Sequence, residues 1–262
     1  MKDESMTDIL FLSEKRKQIL LFLLDGPKTI DEIKEKLASK SSPLMVQIRI
    51  LIRNHMVREG KEGFSLTAPG KHAVQDMKSI LEMFSVLDKE PAYWVDIDFS
   101  AIPSHLLNRI GDLKDIQLYF PEKENIFDRT KVVQQKIKNT ESLIEISSVF
   151  RKDYIADYVK IAEKEIGVSF VLTKNVIDRL ENEYPEIYYR YMRLKNVRFF
   201  ICPDMALASC TITDKFVALT LFMENGRFFN HDLVSECKSA IRWGNDLFHY
   251  YRAISHICQL PE

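Results

Sequence analysis

The chain has 262 residues, 46% hydrophobic and 29% charged, with a formal net charge of −1. This composition excludes a disordered or fibrous chain and supplies apolar material for one large domain or two small ones. A near-neutral total does not advertise a nucleic-acid partner, so any such contact has to be local. No apolar run approaches membrane-spanning length and the N-terminus lacks a signal-peptide charge pattern; no membrane partner and a cytoplasmic location are expected. The four cysteines, Cys202, Cys210, Cys237 and Cys258, form no CxxC pair and no ligand spacing with His, which argues against zinc. Free thiols are expected, with a redox pair of Cys202 and Cys210 on neighbouring strands as an alternative.

In chain order, residues 14–24 form a first helix with Ile19, Leu20, Leu23 and Leu24 inward, ended by Asp25-Gly26-Pro27. Thr29 caps a second helix, and Glu32 completes the Thr-x-x-Glu capping box; Ile30, Ile33 and Leu37 face in. Residues 41–53 open with Ser41 and Ser42, hydroxyls suited to capping, and Pro43, suited to a first turn. Leu44, Ile48 and Leu51 make the buried stripe, leaving Met45, Gln47, Arg49 and Arg53 largely outside it. A hairpin follows through residues 57–66, turning at Lys61-Glu62-Gly63. Two short helices and a basic hairpin form a winged helix-turn-helix. Between Lys28 and Lys71, nine Lys and Arg stand against five Asp and Glu, an excess of four.

The string Ile48-x-x-Leu51-x-x-x-x-Met56-Val57, with Leu66-Thr67-x-x-Gly70 at the wing exit, resembles archaeal winged-helix regulators of the ArsR-like kind. Those families often have Gly where this chain has His55. The expected contact set for double-stranded DNA is Lys40, Ser41, Ser42, Met45, Gln47, Arg49, Arg53, Arg58 and Lys61.

From Pro69 to Leu87 the pattern is a long helix, with Met77, Ile80, Phe84 and Leu87 as a pairing seam for a homodimer. Asp88-Lys89-Glu90-Pro91 is the expected hinge. Beyond it, strands at 116–120, 143–147, 167–173 and 197–202 alternate with helices, including 127–138 and 153–165. This rhythm predicts a parallel or mostly parallel sheet covered on both faces. Strands at 208–213, 216–222 and 227–229 then read as antiparallel, and a helix from 236 to about 257 closes the chain.

The anchors Asp98-Phe99-Ser100-x-Ile102-Pro103, Thr213-Asp214-Lys215-Phe216 and Ala240-Ile241-x-Trp243-Gly244-x-x-Leu247-Phe248-x-Tyr250-Tyr251-Arg252 resemble the effector domain of methanogenesis-regulating transcription factors, filament-type and methyltransferase-specific. Trp243 and its neighbours are core by their spacing. The fold class expected is α+β or α/β in two domains: a winged helix-turn-helix (1–68), a connector and dimerisation helix (69–90), and an α/β effector domain (91–262) with a mixed, phospholipase-D-like sheet.

No histidine is followed by Lys at phospholipase-D spacing, and no phosphate loop, nucleophile elbow or HExxH helix occurs. The expectation is no enzyme, no cofactor and no metal. His231-Asp232 is taken as a solvated or capping pair on a loop. A small-molecule effector would sit at the strand ends, among Ser147, Ser148, Arg151, Thr173, Lys174 and Asp204. The sequence therefore points to a DNA-binding regulator responding to a small molecule or a partner such as a sensor kinase. A protein-interaction scaffold is the alternative.

Overall fold

The computed structural model describes residues 5–122 and 129–258, and for 152–156 the backbone alone. Contacts divide the chain into two compact units, Met1–Leu81 and Glu82–Glu262. The division falls inside the 20-residue helix α5 (Ala68–Leu87).

The first unit contains α1 (Met6–Phe11), α2 (Glu14–Phe22), α3 (Ile30–Leu37), α4 (Ser41–Arg53), β1 (Val57–Gly60) and β2 (Gly63–Leu66), then the first part of α5. Helix α1 was not expected from the sequence; Ser5 and Asp8 start it with a capping box. Helix α2 stops at Phe22 and gives way to a short 3-10 turn, Leu23–Asp25, where Leu24 is half-buried and packs against the same core as Ile19, Leu20 and Leu23. The Thr29 capping box is present: the Thr29 amide donates to Glu32 Oε2 at 2.7 Å and the Glu32 amide to Thr29 Oγ1 at 3.3 Å. At α4 the N-cap is Lys40 and no side chain caps it, so the serine hydroxyls do not serve there.

Ile19, Leu20, Ile33, Leu44, Ile48, Leu51, Val57 and Phe64 are all buried in one core. Each such aliphatic side chain contributes roughly 1.5–3 kcal/mol by leaving water. The hairpin is tied to the helices by a third extended residue: Lys28 exchanges both backbone bonds with Phe64, at 2.9 and 2.8 Å. Gly63 permits this approach. It has φ +103°, and a β-carbon there would lie 2.3 Å from the Lys28 carbonyl oxygen.

The second unit is built on an eight-stranded sheet in the order β10-β6-β5-β4-β7-β8-β9-β3. Its strands are β3 (Gln117–Tyr119), β4 (Ser142–Ser147), β5 (Gly167–Thr173), β6 (Val197–Cys202), β7 (Ser209–Thr213), β8 (Val217–Thr220), β9 (Asp232–Ser235) and β10 (His256–Ile257). Only β4–β5 and β5–β6 pair in parallel; the other neighbours are antiparallel. The expectation of a mostly parallel sheet is thus corrected to a mixed one. Alternation of strands with helices holds only from β4 to β6, and hairpins build the rest.

Residues 227–229 form no strand. Phe228 makes a single bridge to Phe222, and the strand lies further on, at β9. The expected helix at 127–138 starts partly outside the described residues; α8 spans Lys131–Ile137.

Both faces of the sheet are packed. One carries α6 (Pro91–Trp94), α7 (Ser104–Leu107) and α12 (Lys238–Ala253), and the other α8, α9 (Lys152–Ala162), α10 (Lys174–Glu183) and α11 (Pro185–Arg193). Trp243 is fully buried and donates its indole N–H to the Leu106 carbonyl at 2.9 Å, while Tyr251 donates to Ala101 at 2.7 Å. The closing helix ends at Ala253, and the chain then adds β10 against β6 instead of continuing as helix to 257. Cys202 on β6 and Cys210 on β7 are separated by β5 and β4. Three strand spacings, about 14 Å, exclude a disulfide between them in this fold.

Candidate functional site

The packing of α4 decides which of its residues face solvent. With Leu44, Ile48 and Leu51 buried, the opposite stripe is Ser42, Val46, Arg49 and Arg53, all exposed. Val46 was missed by the sequence reading. It is 51% exposed, and its only signal was its place one turn before Ile50 on the outer side. Ser41, Met45 and Gln47 are half-buried. Gln47 turns towards α2, where the Ser13 hydroxyl donates to its Oε1 at 3.5 Å. Its place in the expected contact set is corrected accordingly, because 47 lies on the α2-facing side of the helix. Arg58 and Lys61 project from the hairpin, and Arg58 Nε donates to the Ser65 hydroxyl at 3.3 Å across the strands. Lys40, Arg49, Arg53, Arg58 and Lys61 are exposed, and none forms an ion pair with a described residue.

The expected seam on α5 divides. Met77 is 1% exposed in the core of the first unit, and Leu87 packs on the core of the second. A residue committed to its own core cannot also face a second copy, so Met77 leaves the seam. Ile80 and Phe84, one turn apart, remain 37% and 48% exposed.

At the strand ends of the second unit, the structure brings two of the six expected residues together. Ser147 and Arg151 line a cavity of about 40 Å³, with Phe150, Leu172, Val176 and Leu180 among its apolar walls. The other four lie elsewhere. Ser148 donates to the Leu207 carbonyl, Lys174 pairs with Asp178 on its own helix, Thr173 precedes α10 without capping it, and Asp204 is exposed. A strand end is shared by side chains pointing to opposite faces, and only one face forms the cavity.

Beside it lies a buried polar cluster. Register places Glu145 opposite Thr211, and Ser147 opposite Ser209, which is opposite Thr220. Glu145 is 1% exposed and is held by Arg129 at 3.3 Å, Tyr158 at 2.9 Å and Thr211 at 2.5 Å. Burial nevertheless pushes its carboxyl upward, against the opposing pull of Arg129.

Asp232 accepts from the Thr130 amide and hydroxyl at 3.2 and 2.7 Å and from Thr220 at 3.3 Å; Arg151 stands 3.9 Å away. His231 shares a 2.5 Å hydrogen bond with the Tyr93 hydroxyl, and burial lowers its pKa to about 4. Both residues are fully buried, and Asp232 opens β9. The expectation of a solvated loop pair is therefore corrected. Sequence spacing gave no sign of this cluster, since its members come from 129, 145, 151, 211 and 232 and meet only through strand register.

These features define a class: a two-unit α+β protein, with a small helical unit ending in a hairpin ahead of a large mixed-sheet unit. Two domain models of one family match it, the N-terminal domain of the methanogenesis regulatory protein FilR1 over residues 5–85 and its middle domain over 126–254. The chain belongs to this family. It is 23% identical over 247 residues to the methanogenesis regulatory protein FilR1 of Methanothrix harundinacea (strain 6Ac), covering 91% of this chain and 55% of that protein. The chain thus spans about half the length of the curated relative it matches.

Among solved structures it is similar to TrmBL2, an archaeal chromatin protein, at 12% identity and a TM-score of 0.45, covering 97% of this chain and 98% of that one. It is also similar to Nuc from Salmonella typhimurium, a phospholipase D family member, at 12% identity and a TM-score of 0.38, covering 55% and 97%. No helix among the described residues is long and apolar enough to cross a membrane.

Proposed function

We propose that the protein is a transcription regulator of archaeal, methanogenesis-related genes. In this reading residues 1–68 form a winged helix-turn-helix on double-stranded DNA, 69–90 connect and pair two copies, and 91–262 sense a small molecule or a partner protein. The observation that carries it is the solvent stripe of α4 with the hairpin beside it. Arg49, Arg53, Arg58 and Lys61 present positive charge that no described residue neutralises, and phosphate contact gives such charge a use. The name of the matched family, a methanogenesis regulatory protein, supports the class of target.

The test is selection of bound duplexes from a random library with the full chain, followed by anisotropy titrations across a salt series. Enrichment of a shared sequence with a steep salt slope is expected. Binding that is equally strong to any polyanion would refute the regulator reading.

One observation favours a second reading, a protein-binding module. An open groove of about 520 Å³ between α2 and α3 has Leu21, Phe22 and Leu37 in its lining, with Lys28 and Lys36 over the Phe22 ring. Failure of the duplex selection would leave this reading in place.

A further inference from the structure

The edge of the large sheet at β6 is only partly covered. Strand β10 pairs with Phe200 and Ile201, and the Cys258 amide donates to the Phe199 carbonyl at 2.9 Å. Val197 and Arg198, at the start of β6, have no strand beside them on that side among the described residues. An open groove of about 370 Å³ lies there, within the second unit.

Register decides what the groove presents. Side chains alternate along a strand, so Arg198 and Phe200 share one face of β6, and Ile257, opposite Phe200, shares it too. Helix α12 packs on the same face, and its Arg252 holds a guanidinium 5.5 Å from the centre of the Phe200 ring. Tyr191 and Phe199, packed edge to face at 5.8 Å, close the groove from the other side of the strand. The lining thus joins aromatic and aliphatic surface to two guanidinium groups, and it includes no described carboxylate. Arg198 and Arg252 are exposed, and neither forms an ion pair with a described residue. Ile257 is 69% exposed, an apolar side chain that an occupant of the groove would cover.

We infer that this groove binds a small amphipathic anion, a carboxylate or phosphate monoester on an apolar body, its head at Arg198 and Arg252 and its body along Phe200 and Ile257. The inference rests on the proposed sensing role of the second unit and names the ligand class for it. Volume sets the size. Small-molecule sites span about 300–1,000 Å³, with mostly apolar walls and a few placed polar groups, and 370 Å³ falls at the small end. At the ~30 Å³ that a water-sized group occupies in a liquid, the groove takes about a dozen heavy atoms.

Lining chemistry sets the class. Guanidinium forks match carboxylate and phosphate oxygens in shape. A bare inorganic anion would leave Phe200 and Ile257 uncovered, and a neutral amphiphile would leave both positive charges unmatched. The groove is open, so the head keeps part of its hydration and a dissociation constant on the order of 10⁻⁵ to 10⁻³ M is expected.

The test is isothermal calorimetry on the full chain at constant ionic strength, paired with operator-binding titrations. The probes are octanoate, 3-phenylpropionate, phenyl phosphate, acetate, inorganic phosphate and the neutral 3-phenylpropionamide. Saturable binding of at least one of the first three, one per chain, is expected, with the last three at least tenfold weaker. Comparing 3-phenylpropionate with phenyl phosphate identifies the head group. Arg198→Gln combined with Arg252→Gln should keep the native melting transition, since both side chains are exposed, and lose binding at least tenfold. Ile257→Ser leaves both charges in place and should weaken binding about threefold or more through lost apolar contact. The chain continues past Cys258, so a variant ending at Cys258 is measured as well. Absence of saturable binding, equal binding of the amide, binding unchanged in either substituted variant, or binding confined to the shortened chain would each overturn the inference. Anion binding that leaves operator affinity unchanged would uphold the site and refute the sensing role.

Discussion

Gly70 lies against the carbonyl of Met56, so closely that a β-carbon at position 70 would come within 2.2 Å of that oxygen. Thr67 secures the junction: its hydroxyl donates to the His55 carbonyl at 2.7 Å and accepts from the Gly70 amide at 3.0 Å, while its amide donates to Met56 at 3.0 Å. The end of α4, the exit of the hairpin and the start of α5 therefore share one contact. Gly70→Ala forces backbone apart and should destabilise the first unit by roughly 1–3 kcal/mol or more. Urea unfolding of wild type and variant measures it, and an unchanged midpoint would mean that this junction is looser than described.

The α4 stripe and the hairpin should contribute differently to DNA binding. Arg49→Ala removes an exposed guanidinium from the proposed base-reading stripe, and should cost about 1–3 kcal/mol with relaxed preference at one base step. Lys61→Ala should weaken binding evenly across sequences and lower the salt slope by about one. Gln47→Ala should change specificity little, because its amide is turned to Ser13. Anisotropy titrations against the selected duplex and single-base variants separate the three outcomes. A loss of specificity in Gln47→Ala larger than in Arg49→Ala would reverse the assignment of the α4 face.

The proposed pairing through α5 would rest on Ile80 and Phe84, the exposed members of the expected seam. Replacing both with Glu should yield folded monomers, since two charges would be carried into an apolar contact. Met77→Glu should instead unfold the first unit, because Met77 belongs to its core. Sedimentation velocity and circular dichroism distinguish the outcomes. Wild-type protein that remains monomeric at high concentration removes pairing altogether.

His231 gives the second unit an acid-sensitive core. Folded protein keeps it neutral to about pH 4, against an ordinary value of 6.5. Between those values the unfolded chain binds the extra proton, so stability falls as pH drops through that window. The full loss is about 3 kcal/mol. Denaturant midpoints taken from pH 7 to 4.5 should decline in wild type and decline less in His231→Gln. Parallel curves would assign the acid sensitivity to other groups.

Much of the fold was legible because its causes are local. The Thr29–Glu32 capping box, the α4 stripe and strands β5 and β6 follow from spacing over a few residues, and each formed where expected. The Trp243 helix was likewise core, as its aromatic spacing implied. The strand expected at 227–229 failed for the converse reason. Arg227, Phe228 and Phe229 have the right residue types, but the adjacent ladder position on β8 is filled by β9.

The sequence by itself determined two helical hairpin-bearing and sheet-bearing halves, a local basic surface, and which helix faces are apolar, since periodicity and capping act within one turn or one strand. Tertiary structure alone decided the rest. It chose a mixed sheet, put two strands between Cys202 and β7, and buried His231 and Asp232. It also committed Met77 to a core and turned Gln47 towards Ser13. The physical reason is that strand order and register unite residues a hundred positions apart, as in Thr130 with Asp232. No local pattern encodes which of the exposed or buried partners a side chain will find.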